Sequence, residues 1–287
     1  MEYKIVSNYQ KNKSLRDSFN ELSKSIFGLD FEPWYQNGFW NDKYIPYSIL
    51  IDNKIVSNVS VNICDFKFKG KDIHLIQLGT IMTDKAYQGK GLAKTLINHI
   101  LKEYEDKVDG IYLFANDSVL DFYPKFGFVT MKQFQCSKEI SLSNEKSSIL
   151  VSMNYKEDWS KMVEIIKAKP QNSMFYMTKN IDLYMFYLSQ FMKDNVFYLK
   201  EEDTYVIAET QGETLTLHAI FGTASLDDVI QSFGKDIQKV VLGFTPTNIK
   251  GYKVEELVED DTTLFVKGKF FENHENLELL FPQLSRA

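Results

Sequence analysis

Three consecutive segments of alternating hydrophobicity, residues 46–51, 55–66 and 72–83, lead without a helical interruption into the turn Gln88-Gly89-Lys90-Gly91-Leu92-Ala93. No other feature narrows the folds open to this chain as much. The turn residues Asp52-Asn53 and Gly70-Lys71 separate the segments, which predicts a meander of strands rather than a strand–helix–strand opening. After the glycine turn, Leu92, Leu96, Ile100 and Leu101 recur at helical spacing and predict a helix from Gly91 to about Tyr104. Residues 110–115 (GIYLFA) are almost continuously apolar, the pattern of a strand covered on both faces.

The rest of the chain extends this α+β pattern. A strand is expected over 2–7, and a helix over 14–26 with Ser14 as N-cap and Leu15, Phe19, Leu22 and Ile26 on its buried face. A short helix near 117–124 and strands from 127 complete the first unit. The polar segment 141–148 (SLSNEKSS) reads as a linker between units at 1–142 and 149–287. Beyond it, helices are expected at 157–167 and 181–192, then strands at 196–200, 204–209 and 213–221. A helix at 225–233 capped by Ser225 precedes strands at 238–244, 252–257 and 263–267. The second half thus repeats the element order of the first with little residue identity, which predicts tandem mixed α/β domains.

Composition excludes several functions. A length of 287 residues suits two domains. A net charge of −6, with no block of Lys and Arg, argues against a nucleic-acid or anionic-membrane partner. Cys64 and Cys136 lack metal-ligand or redox spacing. His74, His99, His218 and His274 are scattered, so no metal site is indicated. No apolar run approaches the ~18 residues of a membrane span, and a cytoplasmic protein is expected.

The turn at 88–93 has the chemistry of an anion cradle. Glycines allow close backbone approach, and a helix N-terminus offers unpaired N–H donors and a positive dipole end. Lys90 adds charge at the rim. A P-loop is excluded because Leu92 stands where Lys is needed. A dinucleotide fingerprint is disfavoured because Lys94 occupies the third glycine position.

Gln88-x-x-Gly91-x-Ala93 resembles the Q/R-x-x-G-x-G/A signature of GNAT acyltransferases, whose amides bind the coenzyme A pyrophosphate. A second stretch, Asn116-Asp117-Ser118-Val119-Leu120-Asp121-Phe122-Tyr123-Pro124-Lys125-Phe126-Gly127-Phe128, resembles the family's N-x-x-A-x-x-x-Y-x-K-x-G-F motif, with Val119 in place of the small residue. The order and spacing are similar to Eis-like bacterial tandem GNAT proteins. The resemblance covers residues 1–140.

It implies an acetyl-CoA-dependent N-acyltransferase in which an amine attacks the thioester directly. It places the donor between two splayed parallel strands, here 74–83 and 110–115. Ile81, Met82 and Thr83 would bind the pantetheine arm, and the Met82 amide would serve the oxyanion. Gln88, Gly89, Lys90, Gly91, Leu92 and Ala93 would bind the phosphates, with Asn116, Phe122 and Lys125 also at the cofactor. Tyr123 is the expected general acid. The family's frequent glutamate base aligns with Gln77, which cannot serve. A water, His74, Asp30, Glu32 and the carboxylate of Ala287 remain as candidates. Phe31, Trp34, Tyr35, Phe39 and Trp40, with Ala287, are the expected walls of a pocket for a small-molecule or peptide amine. The segment IFGTASLDDVI (220–230) carries Asp227 and Asp228 where a cradle would be, so only the first half is expected to bind CoA. Homo-oligomer formation is left open. The rival readings are a non-catalytic acyl-CoA sensor or partner-binding pseudoenzyme, and a nucleotide-dependent oxidoreductase.

Overall fold

The structure is a computed structural model that describes residues 2–153, 159–168, 172–274 and 277–286. Its first half runs β1 (Lys4–Ser7), α1 (Lys13–Phe27), α2 (Glu32–Gln36), β2 (Tyr44–Ile51), β3 (Lys54–Phe68), β4 (Lys71–Thr83), α3 (Leu92–Tyr104), β5 (Gly110–Ala115), β6 (Val129–Thr130) and β7 (Gln133–Glu139). The second half runs β8 (Ile149–Leu150), α4 (Trp159–Ala168), β9 (Phe175–Thr178), α5 (Ile181–Phe186), β10 (Val196–Leu199), β11 (Thr204–Gln211), β12 (Thr214–Phe221), α6 (Leu226–Gln231), β13 (Lys239–Leu242), β14 (Lys253–Leu257), β15 (Thr263–Lys267) and α7 (Lys269–Glu272).

Local sequence accounts for most boundaries. The cap of α1 is Asn12 rather than Ser14, because the Asn12 carboxamide oxygen accepts from the Leu15 amide at 3.3 Å. Ser225 caps α6 with a reciprocal bond to Asp228, as a Ser with an acid three residues on predicts. The segment expected as a helix at 117–124 forms two 3-10 turns, Asp117–Val119 and Tyr123–Phe126, the second with Pro124 in its first turn. The helix expected to 192 is α-helical only to Phe186 and ends in a π turn over Tyr187–Phe191. Part of the expected helix 157–167 lies outside the described residues. Strand β9 was not foreseen.

Among the described residues the strands form two mixed sheets, ordered β1-β2-β3-β4-β5-β15-β6 and β14-β7-β13-β12-β11-β10-β8, with β9 added against the end of β3. Each follows the same plan: a meander, one parallel partner (β4 with β5, β12 with β13), then an antiparallel pair. The units expected at 1–142 and 149–287 therefore do not own separate sheets. β15 from the second half lies between β5 and β6, and β7 from the first half lies between β13 and β14. The exchange is reciprocal, each half supplying the same position in the other's sheet.

Helix α3 buries Leu96, Ile97 and Ile100 on one face of the first sheet against Val59, Val61 and Ile76. Each such side chain is worth about 1.5–3 kcal/mol of transfer free energy. The opposite face is continuous with the second half through one core holding Phe19, Phe66, Tyr112, Phe186, Phe221 and Phe281. Among the described residues no helix is long and apolar enough to cross a membrane.

The exchange makes the halves interdependent. A chain ending at residue 143 leaves β5 paired only with β4, over three residue pairs, and leaves β7 with no sheet to join. We expect such a chain to show no cooperative thermal transition by circular dichroism. A sharp melt with near-native far-ultraviolet signal would show that the first half is self-sufficient.

Candidate functional site

Parallel pairing between β4 and β5 is confined to Leu75–Gln77 against Gly110–Tyr112. Beyond it the strands part, and the gap opens a cavity of about 460 Å³ lined by Leu78, Thr80 and Ile81 on one side and by Phe114, Ala115 and Tyr123 on the other. β5 remains fully paired on its far side, Ala115 to Ile111 against Thr263 to Lys267 of β15, so the gap does not fray it.

A bulge controls which groups of β4 face this gap. Ser60 pairs with Gly79 but Asn58 with Met82, so β4 carries one extra residue there. Thr80 has φ +46°, a left-handed conformation that costs a β-branched residue about 1–3 kcal/mol. Asp84 donates its amide to the Val56 carbonyl at 2.9 Å. Strand alternation then turns the Met82 amide to β3 and the Ile81 and Thr83 amides to the gap. In this register the Ile81 and Thr83 amides, rather than the Met82 amide expected at the oxyanion, are the ones turned to the gap.

The glycine turn follows at the mouth. Gly89 and Gly91 have φ +73° and +77°, and a Cβ at either would meet no protein atom within 4 Å. Glycine is required here by conformation, not by crowding. Gly91 is the N-cap of α3 and no side chain caps the helix, so its first-turn amides are free for an anion. Gln88 ties the turn to the strand by donating to the Thr83 carbonyl at 3.3 Å. Lys90 folds back onto the Ala86 carbonyl at 2.9 Å and over the Tyr87 ring. Ala93 lines the cavity, whereas Leu92 is buried beneath α3. An uncapped helix N-terminus behind a glycine turn is the geometry that an anionic phosphate group needs.

On the β5 side, Asn116 donates to Asp261 at 2.7 Å, and Asp261 also accepts the Asp117 amide at 2.7 Å. These bonds hold the Asp261 carboxyl below its usual range, the Asn116 side chain contributing most. Tyr123 is 5% exposed and lines the cavity, its ring packed on Phe122 and on Phe265 of β15. Burial pushes its phenol up to about 12. Phe122 also lines the cavity, and Lys125 is exposed on the following turn.

The expected aromatic pocket lies elsewhere than in the gap. Phe31, Trp34 and Trp40 are closed core, packed on one another and on Phe186 or Tyr44. Trp34 donates to the Asp182 carbonyl at 2.8 Å. Tyr35 lies under the Arg16 guanidinium, 3.7 Å from its ring centre, and Phe39 packs on Trp159. Phe27 and Leu29, which line the cavity, were missed, since nothing marks them apart from other helix-end apolar residues.

Three of the candidate bases, His74, Asp30 and Glu32, have other partners. His74 precedes the gap and bonds Asp65 at 2.6 Å. Asp30 pairs with Lys24 at 2.8 Å. Glu32 grips Arg16, which lowers its pKa. Gln77 is fully buried. Ala287 lies outside the described residues. The segment before it is tucked in: Tyr112 donates to the Ser285 carbonyl at 2.9 Å, and Tyr187 donates to that of Arg286. The Arg286 guanidinium stacks 4.6 Å over Phe114, which lines the cavity, and bonds both oxygens of Glu259 at 2.8 Å.

The second parallel junction differs. Pairing of β12 with β13 ends at Leu217 and Leu242, but the Gln283 amide donates to the Gly243 carbonyl at 3.3 Å and the Leu280 amide to Thr245 Oγ1 at 2.8 Å. The C-terminal segment fills this opening. The N-terminus of α6 is closed by its own Ser225–Asp228 box and faced by Asp227.

Residues 13–128 match the profile of the Acetyltransferase (GNAT) family. No curated protein matches the sequence. Among solved structures, the chain is similar to an Enterococcus faecalis protein of unknown function described as a probable N-acyltransferase, at 14% identity and TM-score 0.62, covering 94% of this chain and 73% of that one. It is similar to a GCN5-related N-acetyltransferase from Kribbella flavida at 12% identity and TM-score 0.57, covering 93% and 72%. Eis1 from Mycobacterium abscessus aligns at 12% identity and TM-score 0.53, covering 92% and 72%. At these identities the likeness concerns the fold, which spans both halves. Two ordered motifs, a splayed parallel pair and the family match fall on the same residues, so that residues 13–128 are similar to the GNAT acetyltransferase family in both sequence profile and fold.

Proposed function

We propose that the protein transfers an acyl group, acetyl by default, from acyl-CoA to a primary amine by direct attack, using the cleft between β4 and β5. The observation that carries this reading is the cleft itself, with the Ile81 and Thr83 amides turned to it by the register of β4, an uncapped glycine turn at Gly89–Gly91 and Tyr123 on the opposite wall. Coenzyme A supplies the activated thioester. The amides of the 88–93 turn would hold its pyrophosphate, and the gap-facing edge of 81–83 its pantetheine arm. In this reading the first sheet carries the donor site, while the second half closes it and helps to wall the acceptor side. Phe27 at the end of α1 and Leu29 just beyond it, rather than the buried Phe31, Trp34 and Trp40, face the acceptor.

A covalent intermediate on cysteine is disfavoured. Cys64 and Cys136 are buried, and burial pushes their thiols up to about 12 and about 11. Tyr123 is neutral at physiological pH and can donate a hydrogen bond to a departing thiolate. Burial holds its phenol at about 12, so it stays protonated and available as a donor. Tyr123 therefore acts by hydrogen-bond donation at the leaving group. Gln77 cannot take a proton, so the amine is deprotonated by another group or enters neutral. A non-catalytic sensor would show acyl-CoA binding with no release of free thiol in the presence of any amine.

Two variants test the assignments. Gly91→Asp puts a carboxylate into the cradle and is expected to abolish the thermal stabilisation that CoA gives. Gly91→Asn, which tolerates a left-handed backbone, should keep most of it. Equal stabilisation of Gly91→Asp and the native protein would remove CoA from this turn. Tyr123→Phe keeps the ring and removes the donor. Turnover by free-thiol assay should fall about 10²-fold, with CoA affinity nearly unchanged. A fall of less than about threefold would mean that water or backbone supports the leaving group instead.

A further inference from the structure

We infer that Tyr44 and Asn58 are positioning residues that hold Thr80 in its left-handed conformation and so aim the Ile81 amide into the cleft. The inference rests on the acyl-transfer reading of that cleft. Without the extra residue in β4, Ile81 would stand opposite Asn58 and its amide would bond to β3. The bulge therefore decides which amides serve the gap. Thr80 is a poor residue for the conformation the bulge demands, since a Cβ branch crowds the left-handed region. It must be held there.

The restraints come from one buried polar chain. The Tyr44 hydroxyl bonds Thr80 Oγ1, and Asn58 Nδ2 donates to the Thr80 carbonyl at 2.9 Å. The same carboxamide nitrogen donates to Ser60 Oγ at 2.9 Å. Ser48 Oγ donates to Asn58 Oδ1 at 2.7 Å and bonds the Tyr9 hydroxyl at 2.6 Å. Ser48, Asn58 and Ser60 have no solvent exposure. Burying three such groups is unfavourable unless each is satisfied, and here each bond leads towards the bulge. Tyr44 itself is fixed by ring contacts with Phe31, Trp34 and Trp40. The aromatic segment 31–40 thereby serves the cleft from a distance.

Tyr44→Phe keeps those ring contacts and removes one restraint. In the free protein, hydrogen exchange at the β3-facing Met82 amide should accelerate about tenfold, with amides at Leu75–Gln77 unchanged. With acetyl-CoA and an accepted amine, kcat should fall about tenfold while the KM for acetyl-CoA stays within about threefold. Glycine adopts positive φ without restraint, so Thr80→Gly combined with Tyr44→Phe should recover kcat to within about threefold of Thr80→Gly alone. A general loss of packing would give no such recovery. Unchanged Met82 exchange in Tyr44→Phe, or losses that simply add in the double variant, would overturn the assignment. The exchange measurement needs no acyl donor. If the native protein transferred nothing, the acyl-transfer reading would fail while exchange still decided the role of Tyr44.

Discussion

The parting of β4 from β5 after Gln77 and Tyr112 is the constraint on which the rest of the structure depends. Two adjacent parallel strands that stop pairing leave N–H and C=O groups without partners in a largely apolar interior, which is unfavourable unless something satisfies them. The chain meets this in three places. β15 secures the far edge of β5, so that the gap cannot propagate. The bulge at Thr80 chooses which groups of β4 remain open. The groups left over face a cavity large enough for an extended thioester arm.

The two halves resolve the same problem differently. In the second sheet the chain's own segment 280–285 enters the opening and supplies the amide that the Gly243 carbonyl lacks, and α6 caps itself with acidic side chains. In the first sheet the corresponding helix end carries glycines and no cap. The C-terminal segment touches both junctions, Gln283 on β13's end and Ser285 under Tyr112 of β5. With the reciprocal exchange of β7 and β15, this makes the first cleft a property of the whole chain although its motifs lie in the first half.

Much of this is legible in the sequence. The meander and the glycine turn follow from period-2 alternation and from glycines ahead of a helix, whereas Tyr123 sits on a 3-10 turn where the sequence predicts a helix. The first two are local signals. Most of what escaped is non-local. Nothing in TLFVK, residues 263–267, says which sheet it joins, because an apolar run fits any gap between strands. The left-handed Thr80 carries no residue signature, since Thr is a disfavoured choice there and is held by Tyr44 and Asn58, distant in sequence. The same limit explains the aromatic segment. Phe31, Trp34 and Trp40 have the composition of a cation-binding wall, and only packing shows them to be core that fixes Tyr44.

The central claim is that each chain has one acyl-donor site, in the first cleft and not in the second. Calorimetric titration of the native protein with coenzyme A tests it most directly. One site per chain is expected, lost in Gly91→Asp and retained when Asp227 and Asp228 are replaced by Asn. No binding, or two sites per chain, would contradict it.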